Sequence, residues 1–116
     1  MPLHFADGSI DVKTLQTVPE DFIIFYSSVV DGQMWCPDCR AVDHLVQQVF
    51  SDDGPDALIV YVGDRGQWKT PSNIYRQAPW HVTGVPTIVR QKEGKEVGRL
   101  SDETEILEKL ASFVKD

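Results

Sequence analysis

The stretch "QMWCPDCRAV", residues 33–42, contains both cysteines of the chain, placed three positions apart directly after a tryptophan. Apolar residues at helical spacing follow the pair, namely Val42, Leu45, Val46, Val49 and Phe50. This i, i+3, i+4, i+7, i+8 pattern predicts an amphipathic helix with one face turned towards the core. Cys36 and Cys39 therefore lie at the start of a predicted helix.

Two apolar runs flank this helix, "FIIFY" at 22–26 and "ALIVYV" at 57–62. Continuous apolar runs of this length are typical of strands that are covered on both faces of a sheet. A strand, a helix and a strand in succession form a βαβ unit. Such a unit implies two parallel strands joined by a right-handed crossover.

The segments around this unit are shorter. "VVDGQM" at 29–34 predicts a loop, and "GDRGQWKTPSN" at 63–73 predicts a turn-rich segment before a short helix in "IYRQA" at 74–78. Residues 86–100 predict a β-hairpin whose turn lies in "KEGK", with Gly94.

The last segment, "SDETEILEKLASFVKD" at 101–116, predicts a second amphipathic helix that Ser101 or Asp102 caps. Its apolar stripe consists of Ile106, Leu107, Leu110, Phe113 and Val114. The predicted order is β-α-β-α-β-β-α, preceded by an N-terminal segment that contains "HF". We expect one domain over residues 1–116.

The charge balance excludes some classes of partner. The chain has 11 basic and 18 acidic side chains and a net charge of −7. This argues against nucleic-acid binding and against an anionic membrane surface, since both need a basic patch. No basic region precedes a long apolar run, so we expect no signal peptide and no membrane span, and a location in the cytoplasm. We also expect a monomer. In that reducing compartment a permanent structural disulfide is uncommon, and the cysteines are expected to bind metal or to react.

The spacing of the cysteines suits redox chemistry. On a helix, Cα atoms at i and i+3 lie about 5 Å apart, and a disulfide accepts roughly 4.4 to 6.8 Å. The unpaired N–H groups and the dipole at a helix N-terminus favour a thiolate on Cys36, the nucleophilic form. Cys39, one turn further and less exposed, would attack the mixed disulfide. Pro37 fits the first turn because it has no N–H to leave unsatisfied.

Alternatives remain open for these residues. The two cysteines could pack as small hydrophobic side chains, or form half of a zinc site. His4, His44 and His81 are scattered and show no paired ligand spacing, so the Cys-x-x-Cys beside a βαβ pattern favours the redox interpretation. Asp38 suits the helix N-terminus but repels a neighbouring thiolate, and both effects stay possible at Cys36.

Four segments together carry a family resemblance: "FIIFYSS" at 22–28, "WCPDC" at 35–39, "VGDRGQWKTPSN" at 62–73 followed by Arg76, and "VTGVPTIV" at 82–89. On these segments the chain resembles the thioredoxin domain-containing protein 17 family, also called the Clot family, of the thioredoxin-like superfamily. The resemblance covers nearly the whole chain apart from about the first dozen residues.

The resemblance implies a thioredoxin fold, in the α/β class. Its central mixed sheet is flanked by helices, and its active site lies at the N-terminus of the helix after the second strand. It also implies NADPH-driven disulfide reduction with thioredoxin reductase as electron donor. The substrates would be cystine, other small disulfides and some modified protein thiols. Cys36 would be the nucleophile and Cys39 the resolving thiol. No bound cofactor and no metal are expected beyond the redox-active Cys36–Cys39 disulfide.

Other residues would shape this site. "VP" at 85–86 matches the family's cis-proline, which would aim the backbone of Val85 at the substrate; the residues alone also allow a trans proline at the start of a strand. Trp35, beside Pro37 and Asp38 in the motif, would both pack and offer an apolar edge to substrate. We expect Trp68 to anchor its long loop rather than to catalyse.

Two departures from ordinary thioredoxin matter. The strand "FIIFY" lacks the buried acid that assists the resolving cysteine, which leaves Tyr26, Asp38 or a water as proton acceptor for Cys39. The loop "SSVVDGQM" at 27–34 is longer than thioredoxin's short link to its tryptophan. We hypothesise that this loop and the loop at 63–73 together narrow the range of large protein substrates.

Two functions compete at this point. The chain is either a disulfide reductase or a thioredoxin-fold binding module in which the cysteine pair is a redox switch. An isomerase or oxidant would need a secretory setting, for which the sequence shows no signal.

Overall fold

The structure, a computed structural model, describes residues 3–6 and 10–115. Its strands are β1 (Leu3–Phe5), β2 (Phe22–Tyr26), β3 (Val29–Val30), β4 (Gln33–Met34), β5 (Ala57–Tyr61), β6 (Thr87–Lys92) and β7 (Lys95–Leu100). Its helices are α1 (Pro37–Val49), α2 (Arg65–Lys69) and α3 (Glu103–Phe113), with single 3-10 turns at Thr14–Gln16 and Ile74–Arg76.

Five strands form the main sheet in the order β1-β5-β2-β6-β7. The β2 and β5 strands run parallel, in register from Phe22 opposite Ala57 to Tyr26 opposite Tyr61, as the βαβ pattern predicts. The β1 strand, which contains the "HF" of the N-terminal segment, pairs parallel with β5 at the edge. The β6 and β7 strands are antiparallel to their neighbours. The sheet is therefore mixed, as expected.

The centre of the sheet is buried on both faces, which explains the continuous apolar run of β2. Phe22, Ile24 and Tyr26 pack with residues of α1 and α3 on one face. Ile23 and Phe25 pack on the other face with a second cluster that contains Leu15, Trp68 and Trp80. Because β2 is the central strand and is buried on both faces, its C-terminal end is held firmly by packing. The residue that follows it contacts the first turn of α1.

The prediction of a loop at 29–34 is partly wrong. The β3 and β4 strands form a short hairpin there, with Val29 opposite Met34 and Val30 opposite Gln33. Asp31 and Gly32 make its turn with φ of 54° and 87°. An Asp-Gly pair in this left-handed conformation is a strong two-residue hairpin signal, but the strands on either side have only two residues each. The local alternation was too short to indicate a strand.

The turn-rich segment at 63–73 contains a short helix that its pattern did not predict. Asp64 begins α2 with a capping box: its side chain accepts from the Gln67 N–H, and the Gln67 side chain accepts from the Asp64 N–H. The short helix predicted at 74–78 exists as the 3-10 turn Ile74–Arg76.

The C-terminal predictions are largely confirmed. Glu93 and Gly94 form the turn between β6 and β7, both with positive φ. Asp102 caps α3 by accepting from the Glu105 N–H at 2.8 Å. Leu107 is an exception to the predicted stripe, because it is 47% exposed while Ile106 and Leu110 are fully buried. Among the described residues, no helix is both long and apolar enough to cross a membrane.

Candidate active site

The cysteine pair lies at the N-terminus of α1, which follows the small β3–β4 hairpin in the chain. Cys36 is the N-cap of α1, in an extended conformation, and Pro37 is the first helical residue. The carbonyl oxygen of Cys36 accepts from the N–H of Cys39 at 3.1 Å and of Arg40 at 3.3 Å. Both cysteines therefore occupy the first turn, as the spacing predicts.

The two thiols differ in accessibility. Cys36 is partly exposed, whereas Cys39 is 0% exposed, and both are free thiols. An incoming disulfide therefore meets Cys36 first. Cys39 can be reached only from within the protein, and its role as resolving thiol stays a prediction.

A second segment, distant in sequence, faces the exposed thiol. The Sγ of Cys36 lies 3.7 Å from the carbonyl oxygen of Val85. The Val85–Pro86 peptide bond is cis, as the family resemblance predicts. A further cis bond, Ala78–Pro79, was not expected. The main chain of Val85 thus lies beside the sulfur where a substrate would sit.

Ser27, directly after β2, contacts both cysteines. The sequence patterns did not indicate this role. Its hydroxyl oxygen accepts from the N–H of Cys36 at 3.1 Å. Its own N–H points to the Sγ of Cys39, with N and S 3.4 Å apart. Ser27 is 0% exposed. A small polar residue closing an otherwise apolar strand was the one available signal.

The surroundings of Cys39 oppose its ionisation. Burial raises the pKa of the Cys39 thiol to about 12, hydrogen bonds from the Ser27 backbone and side chain counteract this in part, and the neighbouring Cys36 raises it. Burial has this effect because it removes water from the charged form. Cys39 is therefore a protonated thiol at neutral pH.

Of the three candidate proton acceptors, Tyr26 is disfavoured. Its phenol donates to Asp43 Oδ1 at 3.1 Å. Burial, followed by the negative charge of Asp43, raises the pKa of Tyr26 above its usual range. The phenol therefore holds a proton and is not a base near neutral pH. Asp38, the second candidate, is exposed on the first turn of α1.

Asp43 is a further carboxylate near the pair that sequence reasoning did not single out. It follows Cys39 by four positions on α1, a spacing that brings Cβ atoms to about 5–6 Å. Its carboxylate accepts from Tyr26 and from Gln47 Nε2, the latter at 2.7 Å. This i, i+4 relationship was readable from the predicted helix.

Trp35 links the two loops that form the rim. Its indole Nε1 donates to the carbonyl oxygen of Gly63 at 2.8 Å, and the Arg65 guanidinium lies 4.8 Å from its ring centroid. Ser28 binds the same glycine, accepting from the Gly63 N–H at 2.9 Å and donating its own N–H to Gly63 O at 3.2 Å. Gly63 has a φ of 118°, which disfavours any larger residue. Trp35 is half-buried, so it both packs and presents an edge, as expected.

The motif at 63–76 is an anchor for this rim. Trp68 is buried, as predicted for a loop anchor. The Asn73 amide donates to the carbonyl oxygens of Val62 at 2.9 Å and Gln67 at 3.1 Å. Lys69 is exposed. These contacts are structural and leave the reactive atoms to the cysteines.

The alternative of a metal site has no support in the described part of the chain. It contains no group of three or more His, Cys, Asp or Glu side chains that could hold a metal ion. His4, in the edge strand β1, instead pairs through Nδ1 with Glu20 Oε2.

Comparisons with known proteins agree with the sequence resemblance. A family model described as thioredoxin domain-containing protein 17-like, thioredoxin domain, matches residues 5–114. Thioredoxin-like protein Clot of Arabidopsis thaliana is 33% identical over 87 residues, which cover 71% of this chain and 65% of that protein. Thioredoxin domain-containing protein 17 of Mus musculus is 33% identical over 66 residues, covering 55% of this chain and 53% of that protein. The matched part is thus less than two thirds of each relative.

Solved structures share the fold at lower identity. Thioredoxin of Schistosoma mansoni superposes with a TM-score of 0.65 and 16% identity, over 97% of this chain and 93% of that one. Thioredoxin of Fasciola hepatica gives 0.58 and 24%, over 90% and 91%. The predicted thioredoxin fold, with the cysteines at the start of the helix after the second strand of the main sheet, is confirmed.

Proposed function

Because the chain belongs to the thioredoxin domain-containing protein 17-like family of thioredoxin domains, we propose that it is a thiol–disulfide oxidoreductase that works as a disulfide reductase. The observation that supports this most is the asymmetry of the dithiol. Cys36 is accessible at a helix N-terminus beside a cis peptide, and Cys39 is fully buried one turn further.

In the first step, the Cys36 thiolate attacks one sulfur of the substrate disulfide. The substrate S–S bond breaks, the first half leaves as a thiolate and takes up a proton, and Cys36 is joined to the second half. Cys36 is the N-cap of α1, so the positive end of the helix dipole lies beside the attacking sulfur in this step.

In the second step, Cys39 loses its proton and attacks the Sγ of Cys36. The mixed disulfide breaks, and the second half of the substrate leaves as a thiolate and is protonated. The substrate has gained two electrons, and Cys36 and Cys39 have lost them in forming their disulfide. Two electrons from NADPH, passed on by thioredoxin reductase, return the pair to the dithiol.

The main chain of Val85 would orient the substrate. An extended segment that pairs with this backbone would bring its sulfur towards Cys36 Sγ, which lies 3.7 Å from the Val85 carbonyl oxygen. The edge of Trp35 supplies apolar contact on the opposite side. Pro37 and Asp38, both exposed, complete the surface around the thiol.

The rim would favour small disulfides over protein disulfides. The β3–β4 hairpin and the loop at 63–73 are tied together at Gly63 by Ser28 and by Trp35. A rim fixed in this way resists displacement by a bulky protein partner, whereas cystine and other small disulfides need little space. The protein would act as a monomer in the cytoplasm.

The experiment is NADPH oxidation with thioredoxin reductase, this protein and either cystine or insulin as the disulfide. Turnover with cystine and little with insulin is expected, and Cys36→Ser should abolish both. Comparable turnover with both substrates would contradict the small-disulfide preference. No turnover with either, together with a partner that the Cys36→Ser variant still binds, would replace the reductase with the binding-module function.

A further inference from the structure

Ser27 is the buried polar residue that contacts both halves of the dithiol. We propose, on the basis of the reductase function above, that Ser27 is a positioning residue which holds the Cys36 main chain and stabilises the thiolate that Cys39 must form during the second step. Its hydroxyl and its backbone N–H serve the two cysteines at once.

The geometry divides the work between the two polar groups of Ser27. The hydroxyl oxygen accepts the Cys36 N–H at 3.1 Å, which is one of the donors that a helix N-terminus leaves without an intrahelical partner. The backbone N–H donates towards Cys39 Sγ, with N and S 3.4 Å apart. Ser27, which follows β2 directly, thereby fixes the first turn of α1.

The hydroxyl of Ser27 is the second group of this residue that can act on Cys39. A serine hydroxyl that accepts one hydrogen bond still has its proton to donate, and a fully buried one needs an acceptor inside the protein. Hydrogen bonds from both the side chain and the backbone of Ser27 act to lower the pKa of Cys39, against the larger effect of burial.

The strand before the motif lacks the buried acid that assists the resolving cysteine of ordinary thioredoxin. A hydroxyl is too weak a base to take the proton of Cys39, so Ser27 does not replace the missing acid as proton acceptor. It stabilises the anion instead. When the Cys39 proton passes to water or to the departing substrate thiolate, the Ser27 N–H already faces the sulfur, and the hydroxyl proton of Ser27 can turn to it. Donors fixed in advance stabilise a developing charge without reorganisation.

The test separates the two steps with 5,5′-dithiobis(2-nitrobenzoate), whose thionitrobenzoate product absorbs visible light. Attack by Cys36 on the reagent releases one thionitrobenzoate, and attack by Cys39 on the mixed disulfide releases the second. Stopped-flow absorbance gives both rates between pH 6 and 9. The variants are Ser27→Ala, which removes the hydroxyl but keeps the N–H, and Ser27→Thr, which retains a hydroxyl.

Ser27→Ala is expected to slow the second phase about tenfold, equivalent to about 1.4 kcal/mol, at every pH in that range, with a smaller change in the first phase. Ser27→Thr should restore at least part of the loss. The matched control is Ser28→Ala, since the Ser28 hydroxyl binds Gly63 N–H and not the cysteines. It should leave the second phase within about twofold of the wild type. Urea unfolding shows that each variant is folded.

Three outcomes would overturn the proposal: an unchanged second phase in Ser27→Ala, an equal slowing of both phases, or an equal effect of Ser28→Ala. These outcomes differ from a failure of the reductase function. In that case the wild-type protein itself would show no second phase.

Discussion

The guanidinium of Arg76 lies over the ring of Trp68, with Cζ 3.9 Å from the ring centroid, and its Nε donates to the carbonyl oxygen of the same tryptophan at 2.7 Å. The pair joins α2 to the 3-10 turn Ile74–Arg76. It therefore closes the loop that carries one side of the active-site rim. Stacking and a directed hydrogen bond in one contact require the planar guanidinium, which lysine lacks.

Arg76→Ala should lower the free energy of unfolding by about 2 kcal/mol, because a partly desolvated cation–π contact and a hydrogen bond are lost together. Arg76→Lys should recover less than half of this loss. Urea unfolding measures both. The control is Arg65→Ala, whose exposed guanidinium lies farther from its ring, at 4.8 Å from Trp35, and whose effect should stay below about 1 kcal/mol. Full stability in Arg76→Lys would show that charge alone matters.

The reduced protein should lose stability in alkali through Cys39. The pKa of this thiol rises from 9.0 to about 12 on folding, so the folded state holds the proton more tightly. The stabilisation is complete below pH 9 and is lost as the pH rises towards 12. Between pH 8 and 10.5 the loss should be about 2 kcal/mol.

The measurement is urea unfolding with a reductant present, for the wild type and Cys39→Ala. The tyrosines titrate in both proteins, so the difference in slope belongs to Cys39. Parallel pH profiles for the two proteins would show that Cys39 ionises as easily in the folded state as in the unfolded chain.

Tyr26→Phe should leave the resolving step intact. The phenol holds its proton against Asp43, so its removal takes away no base. We expect a second phase of thionitrobenzoate release within about twofold of the wild type, and a loss of about 1 kcal/mol in unfolding free energy for the missing hydrogen bond. A tenfold slower second phase would return Tyr26 to the mechanism as a proton carrier.

Shortening the rim should broaden the substrate range. The N–H of Trp35 donates to Ser28 O at 3.3 Å, so residues 29–34 can be replaced by a two-residue Asn-Gly turn that keeps this closure. We expect insulin reduction to rise several-fold relative to cystine reduction, measured as the ratio of kcat/KM values. As a control for apolar contact, Val29→Thr with Val30→Thr keeps the hairpin and should leave the ratio unchanged. If the shortened variant also keeps the wild-type ratio, the hairpin does not select substrates.

Cys39→Ser should trap the mixed disulfide on Cys36, because the resolving thiol is gone while the nucleophile stays accessible. Mass spectrometry after exposure to cystine should show an adduct of one half-cystine that a reductant removes. Cys36→Ser should form none, since Cys39 is fully buried. An adduct on Cys39 in that variant would reverse the assigned roles.

Much of the fold was readable from local patterns. The α1 helix, the central strands β2 and β5, the β6–β7 hairpin and the cap of α3 follow from side-chain periodicity and turn residues, which act over a few positions. The position of Cys36 and Cys39 in the first turn of a helix is equally local. The β3–β4 hairpin and α2 were not predicted, because segments this short show too little periodicity in their side chains.

Apart from the cis-proline segment, which the family resemblance indicated, the surroundings of the thiols were decided only by the tertiary structure. Val85 reaches Cys36 across 49 positions of the chain and Ser27 reaches Cys39 across 12, and the Tyr26 phenol is occupied by Asp43. The chain alone thus determined that a dithiol begins a helix beside a central strand. Which polar groups meet that dithiol depended on how both faces of the sheet are buried, because packing, unlike helix and turn formation, sums contacts between residues far apart in sequence.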